Sequence, residues 1–314
     1  MMEKYIIKDS KYDGMRYRRC GRSGLLLPEI ALGFWHNFGA DADASNCRAI
    51  VEYAFGHGIT YFDLANNYGP PYGAAESRFG EILKDSLASH RDEMIIATKA
   101  GHDMWPGPYG EWGSRKSLMA SIDQSLKRLQ LDYVDIFYSH RPDPDTPLEE
   151  TMQALVDIVR AGKALYVGIS KYPPEMAGEA YAYLRSRDVP CLVYQGRYNM
   201  LDRKPEDAIL AQAAGEGVGF AAFSPLAQGL LSDRYLNGIP SGSRMTHSKF
   251  LKPEVLTPEL LCQLEKWNGE AAAEGLTLSQ YALKWILRRK EVTTVIVGAS
   301  SVEQLKSNLL LLRP

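Results

Sequence analysis

The chain has 314 residues, 45% hydrophobic and 24% charged, with 36 Lys and Arg against 38 Asp and Glu for a net charge of -2. These values are ordinary for a globular protein and exclude disordered, fibrous and low-complexity classes, while the lack of a long basic run argues against nucleic acid as a partner. No run of 18 or more apolar residues is available to span a bilayer, and Met1 to Asp13 is too polar for a signal-peptide core, so a cytoplasmic protein with no membrane partner is expected.

In chain order, Met15 to Pro28 reads as a β-hairpin turning at Gly21 to Gly24. Eight short apolar runs then read as buried parallel strands: Ile30 to Phe34, Thr60 to Leu64, Met94 to Lys99, Val134 to Ser139, Ala164 to Ile169, Cys191 to Gln195, Val218 to Phe223 and Thr294 to Gly298. Helical patterns separate them. Ser114 is placed to cap a helix with Leu118, Ile122, Leu126 and Leu129 on one face. Thr146, Pro147 and Glu149 spell a capping box with proline at the first helical position, ahead of a stripe of Leu148, Met152, Leu155, Val156 and Val159. Pro225 to Glu291 is too long for one crossover and should hold a loop and at least two helices; a last helix after Ser300 carries Val302, Leu305, Leu309 and Leu312 on its inner face.

Length alone allows one domain or two, because barrels of alternating strands and helices run past roughly 250 residues as one domain. Eight strands alternating with helices, and no long polar linker, favour a closed barrel over an open doubly wound sheet. The glycine fingerprint of the open dinucleotide-binding sheet is also missing, since the first strand runs into Leu32-Gly33-Phe34-Trp35. The expectation is α/β: a single (β/α)8 TIM barrel over residues 1–314, with the N-terminal β-hairpin and a long loop/helix insertion between strands 7 and 8. Cys20, Cys47, Cys191 and Cys262 are scattered and the six histidines include no close pair, so no metal site is expected.

In such barrels the chemistry sits at the carboxyl ends of the strands. Strand 2 ends at Asp63 with Tyr68 in the following loop, strand 3 at Lys99 and strand 4 at His140. An acid, a phenol, an amine and an imidazole on one face suit proton donation to a carbonyl. Free tyrosine titrates near ~10, so a neighbouring Lys99 ammonium is expected to lower the Tyr68 value, Asp63 to keep the lysine charged, and His140 to bond the carbonyl oxygen. The set lacks an electron source.

Asp63, Tyr68, Lys99 and His140, each in its strand-end context, resemble the catalytic tetrad of the aldo-keto reductases. Gly33, Phe62-Asp63 through Tyr68-Gly69, Gly168-Ile169-Ser170, Gln195, Phe223 through Leu231 and Gly298-Ala299-Ser300 through Asn308 extend the likeness over nearly the whole chain. Trp35 to Gly39, Asn66 to Pro71 and Met104 to Gly110 are similar to the branch of L-glyceraldehyde 3-phosphate reductase-like proteins, relatives of potassium-channel β-subunits. The resemblance implies an NADPH-dependent oxidoreductase acting on small aldehydes of the glyceraldehyde 3-phosphate or methylglyoxal kind, with Tyr68 as proton donor. It implies a cofactor contact at Trp35, nicotinamide contacts at Ser170, Gln195 and Phe223, pyrophosphate contacts at Ser224, Leu226, Gln228 and Gly229, and phosphate contacts at Arg234 and Arg244, the latter for the 2'-phosphate. Gly298, Ser300, Gln304 and Asn308 complete the cofactor set, and a helix start after Ser300 independently suits a phosphate. Trp35, Trp105, Tyr109 and Arg141 are the substrate-side candidates, Arg141 either gripping a substrate phosphate or bridging two loops.

Two positions depart from the family pattern: Lys171, where many relatives carry Asn or Arg, and Ser307, where channel-subunit-like relatives carry a glutamate for the adenine amino group. The resemblance also implies a further helix and tail past Pro314, a longer stretch around Met245 to Lys252, and leaves a homo-oligomer open. Two rivals remain at this point. One is a cofactor-binding regulatory subunit of the channel type, against which His140 argues because those relatives tend to carry Asn there. The other is a Schiff-base aldolase with Lys99 as nucleophile, against which Asp63 argues by keeping the amine charged.

Overall fold

Residues 7–241, 243–247 and 251–312 are described by the computed structural model, apart from the side chains of Arg244 and His247. The chain opens with an antiparallel hairpin of β1 (Tyr17–Arg19) and β2 (Leu26–Pro28), with Tyr17 opposite Pro28. Eight parallel strands follow: β3 (Ile30–Gly33), β4 (Tyr61–Asp63), β5 (Ile95–Ala100), β6 (Val134–Ser139), β7 (Ala164–Ser170), β8 (Cys191–Arg197), β9 (Gly219–Phe223) and β10 (Val292–Val297). They close in sequence order, β10 pairing back onto β3, into a barrel. Apolar runs with no polar face suit strands covered on both sides, and here the outer side is covered by helices.

The hairpin closes the amino end of the barrel. Cys20 and Leu27 are fully buried in one cluster with Ala31, Tyr61, Ala97 and Val193 from the strands above them. Arg18 donates to the carbonyls of Leu287, Arg289 and Val292, and the Arg22 amide bonds the Gly217 carbonyl at 2.8 Å. Gly21, at φ 54°, is required at the turn because a Cβ there would lie 2.0 Å from the Gly217 oxygen. With that end plugged, the carboxyl ends of the strands form the open mouth.

Helices connect the strands, including α1 (Ala44–Phe55), α2 (Ala74–Ile82), α3 (Arg115–Leu129), α4 (Leu148–Arg160), α5 (Pro174–Ser186) and α6 (Ile209–Glu216). Ser114 caps α3 as expected, its Oγ accepting from the Ser117 amide at 3.3 Å. The capping box expected at α4 does not form: the N-cap is Pro147, with no side-chain cap bond. The Asp143 carboxylate takes the Asp145 and Thr146 amides at 2.9 and 3.1 Å and bonds the Thr146 side chain too, which diverts that threonine from the helix end. Its apolar stripe nonetheless buries Met152, Leu155 and Val156.

Between β9 and β10 lie the short α7 (Arg244–His247), α8 (Pro258–Ala273) and α9 (Leu278–Leu287), which meets the expectation of a loop with at least two helices. α10 (Val302–Leu309) is capped by Ser301, one residue after the expected Ser300, and runs into a 3-10 turn over Leu310–Leu312. Leu305 and Leu312 are buried, with Val302 and Leu309 packed on the core beside them. β8 runs two residues past its apolar stretch because Gly196 and Arg197 pair in register with Ala222 and Phe223 of β9. β10 starts two residues early because Thr293 is buried and its Oγ1 accepts from the Phe220 amide. No helix among the described residues is long and apolar enough to cross a membrane.

Candidate active site

Parallel register brings the expected tetrad to the mouth. Asp63 ends β4 beside Gly33 of β3 and Ala97 of β5; Lys99 is next to last on β5, beside Tyr138; His140 directly follows β6. Lys99 Nζ donates to Asp63 Oδ2 at 2.6 Å, to the Leu64 carbonyl at 2.6 Å and to Tyr68 Oη at 3.5 Å. The Tyr68 and His140 rings meet edge to face with centroids 5.9 Å apart. Lys99 is wholly buried, Asp63 and His140 nearly so, and Tyr68 half-buried. Beside Tyr68, Gly69 is required because a Cβ there would stand 2.0 Å from the Pro71 oxygen.

Asp63 is tied on its other oxygen as well. Oδ1 accepts from Gln195 Nε2 at 2.8 Å and from Tyr61 Oη at 3.2 Å, and Tyr61 Oη lies 2.8 Å from Tyr138 Oη. Sequence reasoning missed Tyr61 and Tyr138. Each stands two positions before a tetrad residue, on the same face of its strand, so the alternation rule held the signal.

The electrostatics reverse one expectation. Burial, followed by the Asp63 charge, holds the Tyr68 phenol well above its usual range. Asp63 balances Lys99, so the phenol meets a nearly neutral pair in a low-dielectric site, and desolvation outweighs the ammonium's pull. Desolvation also lowers Lys99 from the usual lysine range, with Asp63 opposing it. His140 is driven well below the usual imidazole range by desolvation and then by the Lys171, Lys99, His102 and Arg141 charges, so it is neutral. Tyr68 is therefore an intact phenol beside a charge-balanced lysine and a neutral imidazole, a set able to donate hydrogen bonds or a proton to a carbonyl oxygen.

Of the expected cofactor residues, Ser170 ends β7, Gln195 lies near the end of β8 and Phe223 ends β9, at the carboxyl ends of the barrel strands. Ser170 is fully buried and, among the described residues, its Oγ has no hydrogen-bond partner; nor has the buried Asn308 Nδ2. Gln195 spends its amide N–H on Asp63, which leaves Oε1 to accept from a carboxamide NH2. Phe223 is half-buried at the end of β9. Ser224, Ala227 and Gln228 adopt left-handed backbone at φ 52°, 45° and 61°, followed by Gly229 at 102°. Left-handed residues packed this densely are strained, and strain of this kind gathers at ligand clamps. The buried unbonded hydroxyl and amide together with this clamp fit an extended dinucleotide. Leu226 packs toward Met200 and Leu231, while Arg234 is exposed on the Asp233–Tyr235 turn. Gly298 and Ser300 follow β10, and Gln304 Oε1 accepts from the Ser300 amide at 2.8 Å and hydroxyl at 3.0 Å. The Arg244 side chain lies outside the described residues. The Ser307 carbonyl accepts from Gln280 Nε2 at 2.7 Å.

On the substrate side, Trp35 is 37% exposed after β3. Trp105 is half-buried, and the exposed Tyr109 lies with Lys116 of α3 over its ring at 5.2 Å. Arg141 stacks on Trp112 at 3.6 Å, donates to the Gly101 carbonyl at 2.9 Å and pairs with Glu111. These contacts tie the Gly101 loop and Glu111 to the end of β6. Sequence reasoning missed His102 altogether: its ring meets His140 edge to face at 4.5 Å, and its Nε2 lies 3.2 Å from Lys171 Nζ.

The model of the aldo/keto reductase family matches residues 29–313. The chain is 51% identical over 310 residues to L-glyceraldehyde 3-phosphate reductase of Escherichia coli strain K12, an alignment covering 97% of this chain and 90% of that protein. It is 35% identical over 302 residues to an Arabidopsis thaliana protein named "Probable voltage-gated potassium channel subunit beta", covering 94% of this chain and 90% of that one. The Oryza sativa subsp. japonica protein of the same name is 33% identical over 302 residues, with the same coverage.

Proposed function

Because the chain belongs to the aldo/keto reductase family, we propose that residues 1–314 form one barrel domain that reduces small aldehydes with NADPH. The substrates are of the glyceraldehyde 3-phosphate or methylglyoxal kind. The observation that carries this reading is the buried Tyr68 phenol, held protonated, with Lys99 Nζ 3.5 Å from its oxygen. A dinucleotide held at this mouth would supply the hydride for the carbonyl carbon.

The chain's own residues supply the rest. The neutral His140 imidazole donates a hydrogen bond to the carbonyl oxygen, which polarises the carbonyl and orients it. As negative charge develops there, Tyr68 Oη gives up its proton to that oxygen, and the phenolate left behind is stabilised by the Lys99 ammonium until solvent returns a proton. Asp63 holds Lys99 charged and aimed; Tyr61 and Gln195 in turn hold Asp63. Ser170 Oγ, without a partner among the described residues, and Gln195 Oε1 would bond the carboxamide of a bound dinucleotide, and the left-handed stretch from Ser224 to Gly229 would hold its pyrophosphate.

The test is NADPH consumption against a panel of aldehydes. Tyr68→Phe is expected to keep its NADPH affinity while the rate of reduction falls by roughly 10²- to 10⁴-fold, the usual contribution of a positioned general acid. A variant that reduces aldehydes at the wild-type rate refutes the assignment of Tyr68. Sodium borohydride added with an aldehyde leaves no covalent adduct on Lys99 under this mechanism; an adduct indicates the aldolase.

A further inference from the structure

The mouth carries two cations with no carboxylate partner among the described residues. Lys171 directly follows β7, and Arg197 ends β8. Lys171 is accessible to solvent, yet its position is set. Its amide bonds the Gln195 carbonyl at 3.2 Å, its backbone is left-handed at φ 64°, and its Nζ donates to His102 Nε2 at 3.2 Å. Such a φ is uncommon in a residue other than glycine and gathers at functional sites. Desolvation, then the Lys171 and Arg141 charges, brings the His102 imidazole down to about 4, so the ring is neutral and its Nε2 is able to accept from the Lys171 ammonium. The ring of His102 in turn abuts His140, the carbonyl-facing imidazole, at 4.5 Å. The Lys171 ammonium is therefore one ring removed from the reacting centre, while Arg141 and Lys99, also near it, have their charges matched by Glu111 and Asp63.

Lys171 and Arg197 also stand 5.7 and 5.9 Å from the Phe223 ring, and their mutual repulsion counts among the forces on Lys171. An unbalanced cation beside a neutral imidazole pair is a place for an anion. We propose that Lys171, steadied by His102, is the residue that selects substrates bearing a phosphate, by pairing with the anionic end of a short aldehyde whose carbonyl meets Tyr68 and His140. The inference rests on the reductase reading above and names the substrate class that site prefers. The same ammonium has one other possible phosphate source, the pyrophosphate of the dinucleotide, and the experiment separates the two.

Wild type, Lys171→Met and Lys171→Arg are compared on glyceraldehyde 3-phosphate and on glyceraldehyde, with NADPH affinity measured separately by fluorescence titration. A charge-assisted phosphate contact corresponds to about 10- to 100-fold. Lys171→Met is therefore expected to lose about that factor in kcat/KM for the phosphorylated aldehyde, chiefly through KM. Glyceraldehyde and NADPH affinity should change by less than about two-fold on this account, and Lys171→Arg should restore most of the loss. Equal losses on both aldehydes overturn the proposal, as does weakened NADPH binding with the substrate ratio intact, which would give the lysine to the dinucleotide. A second readout does not depend on turnover: glycerol 3-phosphate and glycerol titrated into protein saturated with NADP+. Wild type is expected to prefer the phosphate ester and Lys171→Met to lose that preference. Wild type without preference overturns the proposal even if the protein reduces no aldehyde, whereas an inactive protein that keeps the preference counts against the reductase reading alone.

Discussion

Asp63→Asn keeps the shape of a buried side chain and deletes one charge. In the native site Asp63 Oδ2 sits 2.6 Å from Lys99 Nζ, with the two side chains 3% and 0% exposed. Removing one partner of a buried ion pair costs about 3–5 kcal/mol, because the other charge stays desolvated and unpaired. Lys99 keeps the Leu64 carbonyl at 2.6 Å and is already displaced toward its neutral form, so it escapes part of the penalty by losing its proton. The expected loss is therefore near the lower end, about 3 kcal/mol. At an unfolding entropy of about 2.1 cal/mol/K per residue, a chain of 314 residues shifts by about 1.5 °C per kcal/mol, so the Tm falls by roughly 5 °C. Lys99→Met strands Asp63 in the same way, although Gln195 and Tyr61 still bond its carboxylate. The double variant Asp63→Asn, Lys99→Met leaves no buried charge and should be more stable than either single one. Urea unfolding of the four proteins, compared at unchanged m-value, measures this. The reasoning is refuted if Asp63→Asn stays within about 0.5 kcal/mol of wild type, or if the double variant loses the sum of the two single losses.

Gly168→Ala would bring a Cβ within 2.4 Å of the Tyr138 ring and 2.8 Å of the Val193 oxygen. Overpacking of this kind costs about 1–3 kcal/mol, and because Tyr138 touches Tyr61 above Asp63, a thermal melt and a kcat measurement should fall together. Arg244→Ala should weaken NADPH by about 10- to 100-fold and leave NADH almost unchanged; equal losses in fluorescence titrations would remove Arg244 from the 2'-phosphate. Desolvation, followed by the Lys99, Arg141 and Arg197 charges, brings Lys171 down to about 8, so its ammonium is present below that pH and lost above it. With His102 and His140 already neutral, the preference for a phosphorylated over an unphosphorylated aldehyde in kcat/KM should be full at pH 7 and fade as pH rises through 8 to 9. A flat ratio across that window would contradict it.

What was legible in the sequence follows from where the information resides. The barrel and the positions of Asp63, Lys99 and His140 depend on local pattern: apolar runs of strand length, and parallel strands that present their carboxyl ends on one face. The features that were not legible depend on which distant groups share space. Thr146 has every local mark of a helix cap, but the Asp143 carboxylate competes for it. Arg141 beside His140 suits a phosphate contact or a loop bridge equally by sequence, and only the fold brings Glu111, thirty positions earlier, against it. Tyr68 looks like a phenol that a lysine would acidify, and only the depth of burial and the pairing of that lysine with Asp63 reverse the direction.

The reversal fits the direction of the chemistry. Carbonyl reduction builds negative charge on oxygen, so groups around that oxygen serve best if they enter the reaction with protons to give and leave it next to positive charge. A phenol already ionised in the resting site would have no proton to donate and would repel the developing alkoxide. Burial holds the Tyr68 phenol protonated, and on the proposed mechanism Lys99 at 3.5 Å would act only once the phenolate forms, when the attraction is stronger than in the ground state. Asp63 makes this possible by allowing an ammonium to remain so deep in the barrel. The same logic separates the two proposed roles: Lys99, balanced by Asp63, would serve the transition state, whereas Lys171, with no carboxylate partner among the described residues, would hold an anion already present in the substrate.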